Sequence, residues 1–390
     1  MPKMPSKTFC IMPFVHATVK TNGNIHLCCV STETSNYNIK NNDINEWWSS
    51  IDQVRKDMLS GQPLSACDFC YKQERQGVTS QRQSNNKRFK IIFEKYAEKI
   101  VDLYYKDLPT PIDYELQVTN ICNLKCIMCG DSESSAVLSE NKILKITNVD
   151  QRQYLWQQEE IDKVLALLQD PATRSVTFRG GEPFLIPQIK KTMIDVVNSG
   201  RAQLIDLQLV TNCTEFDVEW VDILNQFKSV WVICSIDAVG SRYEFIRYNA
   251  NWQQVDKNID LIKTIKNVNI TINAVIQNIN VFGIRELLAW GQQKEIYIKL
   301  SLLQEPAYLT VNVLPQQLKD QVVEELSTLD PSNSENLSNI NEYLKASTEL
   351  NCKLWDEFVH MITVKCNHRN VNFLTAAPEF KKYFNYAKTN

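Results

Sequence analysis

Two rhythms of apolar residues run through the middle of the chain. Ile112–Val118 alternates apolar and polar positions and reads as a strand. Ser175–Phe178, Leu204–Val210, Val230–Ser235, Asn269–Ile276 and Ile296–Leu300 complete a set of six. Between them, Ile161–Leu168, Ile189–Val197, Trp252–Ile265 and Ile284–Trp290 carry apolar residues at helical spacing. Strands alternating with helices predict an α/β fold, a parallel sheet with crossover helices. Six such units predict a partial (β/α)6 TIM-like barrel rather than an eightfold one.

The flanks read differently. Residues 1–80 hold short strand patterns, an Asn22-Gly23 hairpin turn flanked by His16 and His26, and clustered cysteines, which predict a small α+β domain. The polar stretch Ser80–Arg88 leads into a linking helix over Phe89–Tyr105, stopped by Pro109 and Pro111. After residue 306 the pattern is helical and more polar, with a break at Pro331-Ser332-Asn333-Ser334. The expected domains are therefore 1–80, a linker at 81–111, a barrel at 112–306 and a helical tail at 307–390. The tail's Trp355 and Phe358, three apart, read as core.

Charge excludes some functions. With 390 residues and a net charge of −3, the chain lacks the basic footprint of a nucleic-acid binder. The short basic cluster at Asn86–Lys90 reads as a solvated helix face. No apolar run approaches the roughly 20 residues of a membrane span, and Met1–Pro5 lacks the apolar core of a signal peptide. The expectation is a cytoplasmic protein without nucleic-acid or membrane partners.

The cysteines change the picture. There are twelve, and in a reducing compartment metal or catalytic roles outweigh disulfides. Eight fall in three groups: Cys10 with Cys28 and Cys29, Cys67 with Cys70, and Cys122, Cys126 and Cys129. Cys213, Cys234, Cys352 and Cys366 are scattered and read as small buried hydrophobes. The third group, Cys-x3-Cys-x2-Cys, follows the first barrel strand, at the end of the sheet where such folds build active sites. Three thiolates on a four-iron cluster leave one iron open to another ligand. On spacing alone, a three-thiolate zinc site with an outside fourth ligand remains the alternative.

Further segments follow at the ends of successive strands, and with the triplet they carry a resemblance to the radical S-adenosylmethionine (SAM) superfamily. Arg179-Gly180-Gly181-Glu182-Pro183 resembles the family's GGE motif, whose glycines admit close backbone approach. The resemblance implies that Glu182 binds the SAM amino group. Thr211-Asn212 ends the third strand as in many relatives. Ser235-Ile236-Asp237 resembles the segment whose serine contacts the methionine carboxylate and whose aspartate lies near the ribose. Arg247 resembles the arginine that pairs with that carboxylate, and Asn273 sits where relatives contact ribose or adenine. Met128 stands where an aromatic residue often packs near the adenine, a place its polarizable thioether can fill. The resemblance covers about half the chain, roughly residues 112–305. It implies a SAM-binding [4Fe-4S] cluster on Cys122, Cys126 and Cys129.

Cys10-x12-Gly23-x4-Cys28, followed by Cys67-x2-Cys70, resembles the auxiliary-cluster part of twitch and SPASM domains. No cysteine follows Cys70 closely, so the one-cluster twitch form is the better match. The resemblance implies an auxiliary [4Fe-4S] cluster on Cys10, Cys28, Cys67 and Cys70, with Cys29 as a substitute for its neighbour. Four thiolates suit a structural zinc equally well. In relatives the module usually follows the barrel, whereas here it precedes it. The expected function is SAM cleavage followed by oxidation of a substrate. The resemblance points to a peptide or protein first, then to a small molecule such as a sugar or nucleotide. A reductant protein such as flavodoxin or ferredoxin is the implied partner. A non-catalytic Fe-S sensor or binding protein is the remaining alternative, which the retained Glu182, Ser235, Asp237 and Arg247 argue against.

Overall fold

The structure is a computed structural model that describes residues 5–32, 36–75, 79–90, 110–330, 337, 340, 343–344 and 352–384. Among the described residues ten strands follow in chain order: β1 His16–Val19, β2 Ile25–His26, β3 Asp113–Leu116, β4 Lys125–Cys126, β5 Ser175–Phe178, β6 Asp206–Thr211, β7 Ser229–Ser235, β8 Arg247–Tyr248, β9 Val268–Ile276 and β10 Tyr297–Leu302. The six strands expected from alternation are all present as β3, β5, β6, β7, β9 and β10. The fold is α/β and mostly parallel. The chain divides into two compact units. The first is Met1–Ile121, Asp150–Leu209 and Gln226–Val230; the second is Cys122–Val149, Val210–Asn225 and Trp231–Asn390.

In the first unit the strand order is β6-β5-β3-β1-β2. β3, β5 and β6 are parallel neighbours, and β1 adds to β3 in parallel with His16 opposite Asp113 and Val19 opposite Leu116. The cysteine-bearing N-terminal segment thus contributes a strand to the same sheet as the first barrel strand. Its reason is compositional. Ala17 and Val19 alternate with His16 and Thr18, so β1 matches β3 face for face: Tyr114 and Leu116 are apolar and fully buried on one side, Asp113 and Glu115 lie on the other. β5 continues both faces with Val176 and Phe178 against Ser175 and Thr177.

That second face is polar yet buried, so its groups need partners. His16 Nδ1 bonds Asp113 Oδ2 at 2.5 Å, and His16 Nε2 meets Thr18 Oγ1 at 2.8 Å. Arg88 donates to Ser175 Oγ at 2.8 Å and lies 3.4 Å from Asp113 Oδ1. Arg88 closes the helix Gln81–Arg88, which a Ser80/Gln83 capping box starts. The polar stretch is therefore itself a helix, and residues 91–105 of the expected linking helix lie outside the described residues. The Asn22-Gly23 turn joins β1 to β2, with Gly23 at φ +90°.

In the second unit β7, β9 and β10 are neighbours in the order β10-β9-β7, with β9 and β10 parallel. Val232, Cys234, Ile272, Ala274, Ile276, Ile298 and Leu300 form the buried face. Helix Ile284–Lys294 packs so close to it that a Cβ on Gly291 would lie 2.3 Å from Ile298 Cδ1. The opposite face is open, with Trp231 and Tyr297 41% and 47% exposed. The tail is helical as expected, with helices Gln316–Ser327, Cys352–Arg369 and Phe373–Ala376. Trp355, Phe358, Phe373, Phe380 and Phe384 share ring contacts in its core. The break at residues 331–334 lies outside the described residues. Helices Ser135–Ile143, Val218–Leu224 and Gly240–Ile246 escaped the periodicity reading because each is at most nine residues long. Cys213, Cys234 and Cys366 are buried as expected; Cys352 is exposed, a correction explained by its place at a helix start.

Candidate functional site

Each unit holds one group of thiols. In the first unit Cys10, Cys28, Cys67 and Cys70 line one cavity, together with Arg82. Cys67 ends a short turn that runs directly into the helix Asp68–Arg75, which places Cys70 one turn on. Helix Gln81–Arg88 fixes the backbone around Cys10. Asn86 accepts from Ile11 N at 2.8 Å and donates to Phe9 O at 3.0 Å, and Arg82 Nη1 donates to Phe9 O at 2.7 Å. Glu74 holds Arg82 in turn, at 2.9 and 2.5 Å.

Burial pushes the Cys10 thiol up to about 12, the amide of Met12 opposing it. Burial likewise pushes Cys28 well up, with Cys29 adding to it, and raises Cys70. These thiols favour a bound metal cation, since only such a charge makes buried thiolates cheap. Cys29 faces elsewhere: burial and the nearby Glu115 push it up to about 12, while Arg179 and Lys20 oppose them. Adjacent positions in an extended segment point to opposite sides. Among the described residues no three His, Cys, Asp or Glu side chains converge closely enough to hold a single metal ion.

The first unit also holds the Arg179–Pro183 segment, directly after β5. Gly180 and Gly181 both take positive φ, +79° and +57°. A Cβ on Gly181 would lie 2.3 Å from the Ile121 carbonyl oxygen, so only glycine lets the two backbones approach. Glu182 N donates to that same carbonyl at 2.7 Å. The Glu182 carboxylate is buried and accepts from Phe184 N at 3.3 Å.

In the second unit Cys122, Cys126 and Cys129 share one loop, and Cys126 lies in the two-residue ribbon β4–β8 opposite Arg247. The backbone around the thiols is tied down at several points. Cys122 N donates to Ser135 Oγ at 3.2 Å, Ser134 Oγ donates to Leu124 O at 2.9 Å, and Ile127 N donates to Ile246 O at 2.8 Å. Ser134 also caps the following helix.

Side chains from four strand ends gather around this loop. Asn212 donates to Asn123 Oδ1 at 3.0 Å and lies 3.9 Å from Cys122 Sγ. Arg247 Nη1 lies 3.7 Å from Cys126 Sγ, and its Nε is 2.8 Å from Asp237 Oδ2. Asp237 accepts from Val275 N at 2.8 Å, and its carbonyl accepts from Asn280 Nδ2. The expected carboxylate-binding arginine and ribose-side aspartate thus form a buried ion pair against the Cys126 thiol. A hydrogen bond from Cys129 draws the Cys126 thiol down against burial, with Arg247 helping, while Cys129 keeps the proton and is raised. Arg247 stays protonated because Asp237 outweighs the cost of burial.

Of the other expected residues, Thr211 is buried and accepts from Cys213 N at 2.9 Å. Asn273 accepts from Ser301 Oγ at 3.1 Å. Ser235 ends β7, and Met128 is half-buried in the thiol loop. The sequence reading missed Arg82, Asn86, Glu140 and Arg369. All are polar residues on helices, and none carries a spacing signal that ties it to the thiols.

Residues 116–290 match the family model described as the Radical SAM superfamily. No curated protein matches the sequence. Among solved structures, native anSMEcpe with bound AdoMet is 18% identical, with 54% of this chain and 57% of that one covered at a TM-score of 0.41. Streptococcus suis SuiB bound to precursor peptide SuiA is 17% identical, covering 81% and 64% at 0.40. Kitasatospora setae TsrM, a radical S-adenosylmethionine methyltransferase with cobalamin and a [4Fe-4S] cluster bound, is 13% identical, covering 43% and 31% at 0.30. The chain thus spans less than two-thirds of the length of each of these. The matched segment contains the Cys122–Cys129 loop, Gly180–Glu182, Asp237 and Arg247, and over residues 116–290 the chain is similar to the radical SAM superfamily.

Proposed function

We propose that this chain is a radical SAM enzyme that oxidises a peptide or protein substrate, with an auxiliary Fe-S cluster on Cys10, Cys28, Cys67 and Cys70. The carrying observation is the three-thiol loop within the matched segment, with Asn212 beside Cys122 and the Arg247–Asp237 pair beside Cys126. Cys122, Cys126 and Cys129 would hold a [4Fe-4S] cluster, which would supply the electron for reductive cleavage of SAM. The chain's own residues hold this site. Arg247 sets positive charge against the Cys126 sulfur, Asp237 fixes Arg247, and Asn212 braces the loop at Asn123. Three thiolates leave room for one outside ligand, and Ser235, Asn273 and Met128 of the second unit are the proposed SAM contacts; for Glu182 the same role rests on its motif alone.

Cys10, Cys28, Cys67 and Cys70 line one cavity, and the resemblance of their spacing to the twitch module favours a cluster over zinc. Four thiolates close the coordination, which suits electron transfer. Peptide is the leading substrate class because the cysteine pattern of residues 10–70 resembles the twitch module. The open face bearing Trp231 and Tyr297 agrees with it, offering aromatic surface of the kind extended chains pack on.

Anaerobic reconstitution of the full chain, with and without the Cys122/Cys126/Cys129→Ala substitution, tests the reading. About eight irons are expected in the wild type and about four in the variant. Only the wild type should release 5′-deoxyadenosine on addition of SAM and dithionite. Zinc in place of iron, or no 5′-deoxyadenosine from fully loaded protein, overturns it.

A further inference from the structure

A buried charge cluster in the second unit remains without a role in this reading. Glu140, on helix Ser135–Ile143, has a side chain with no solvent exposure. Three cationic side chains and a histidine surround it. Arg369 donates to its two oxygens from Nε at 2.9 Å and Nη2 at 2.6 Å. Lys365 Nζ lies at 3.3 Å, and Lys125 Nζ and His368 Nε2 each at 3.9 Å. Burying one carboxylate with so many cations is expensive unless the geometry does something else.

The geometry shows what. Arg369 Nη2 also donates to the carbonyl of Lys125 at 2.8 Å. Its guanidinium sits 4.6 Å over the ring of Tyr248, and the Tyr248 hydroxyl donates to the Arg369 carbonyl at 3.2 Å. Lys125 and Tyr248 face each other across the ribbon β4–β8, whose other pair is Cys126 and Arg247. One arginine at the end of helix Cys352–Arg369 therefore grips both strands of the ribbon that carries a cluster thiol and its arginine. Two residues per strand cannot hold such a ribbon alone. Only a planar guanidinium can bond a carboxylate bidentately and still reach a carbonyl.

We propose that the C-terminal helix is a positioning strut for the SAM-cluster loop, with Glu140 aiming Arg369 at the Lys125 carbonyl and at Tyr248 so that the Cys126 sulfur and Arg247 keep their places. Arg369 is a positioning residue: it touches neither sulfur nor substrate. The proposal rests on the reading that this loop binds a [4Fe-4S] cluster, and it gives the tail a task in the cofactor site.

The test uses the reconstituted full chain, with iron loss to a chelator and the midpoint potential of each cluster followed by electron paramagnetic resonance. Arg369→Leu should release iron from the Cys122 loop about tenfold faster than wild type, the scale of lost outer-shell support, with the auxiliary cluster unchanged. It should also make that cluster harder to reduce, because a positive charge is gone. Arg369→Lys should restore the potential but not the retention. Tyr248→Phe, which removes one hydrogen bond and keeps the fold, should speed loss about threefold, and it decides the matter should Arg369→Leu not fold. Equal acceleration at both clusters, or unchanged loss in Tyr248→Phe and Arg369→Lys, overturns the strut. Wild type without iron at Cys122, Cys126 and Cys129 would instead sink the functional reading, before any variant is made.

Discussion

The two thiol sites are fixed by different physics. In the first unit the backbone around Cys10 is held by the neutral Asn86 amide at two points and by Arg82 at the Phe9 carbonyl, with Arg82 otherwise paired to the part-buried Glu74. In the second unit the thiol loop is held by two buried ion pairs, Arg247–Asp237 and Arg369–Glu140. A site closed by four thiolates needs only a cavity of the right lining. A site that leaves one position open has fewer covalent anchors, and fixed charges hold its loop in place. The thiols carry the same mark: Cys10 is pushed up to about 12 by burial, while Cys126 is drawn down by Cys129 and Arg247.

The sharpest way to break this contrast is to remove one ion. Arg247→Met strands the Asp237 carboxylate, whose side chain has no exposure. Leaving a buried charge without its partner costs about 3–5 kcal/mol. Denaturant unfolding should show that loss, and iron should leave the Cys122 loop while the four-thiol site keeps its own. Loss of iron from both sites in proportion would mean that the contrast is one of global stability.

A smaller effect sharpens the comparison, because the first unit also has a buried ion, placed away from its thiols. Burial alone would raise Asp113, but His16 and Arg88 outweigh it and hold the carboxyl below its ordinary range. A depressed carboxyl stabilises the fold above its unfolded value near pH 3.9 and loses that stabilisation as pH falls through the folded value. Asp113→Asn should therefore cost about 2 kcal/mol at pH 7, as expected for hydrogen bonds to a charged group. The gap to wild type should close below about pH 4. Iron content at pH 7 should be unchanged at both sites, since this carboxylate joins strands rather than ligands. A gap that persists in acid would remove the ion pair from the account.

Much of this was legible in the residues. The alternation in Ser175–Phe178 marks β5 to the residue, because a strand buried on both faces has no freedom to shift its pattern. The Cys-x3-Cys-x2-Cys spacing named the loop, and the glycines before Glu182 named a close backbone approach. The parallel addition of β1 to β3 was not legible, because four residues carry too little period to say which edge they join. Nor was the partnership of Arg247 with Asp237: each matched its motif, but a motif states a residue's usual ligand and not its neighbour before the ligand arrives. Arg369 is hidden for a simpler reason. It lies 229 residues from Glu140, and long-range pairing leaves no trace in local spacing.

The smallest effect asks how the neutral site is kept. Ser80 starts the helix that carries Arg82 and Asn86: its Oγ accepts from Gln83 N at 3.1 Å and donates to Glu74 at 2.5 Å. Ser80→Ala removes the cap and one of the bonds to Glu74, at a cost of about 1 kcal/mol. The Arg82 bonds to Glu74 remain, so the helix should persist and frays at its first turn, where Arg82 sits; Asn86 lies a turn further on. Iron loss from the four-thiol site should quicken by about fivefold, the kinetic equivalent of that energy, with the Cys122 loop unaffected. No change would mean that Asn86 alone positions Cys10, and the cap serves only the helix. A loss confined to the Cys122 loop would contradict the division of labour between neutral and charged supports, because no charge in that loop's surroundings has been altered.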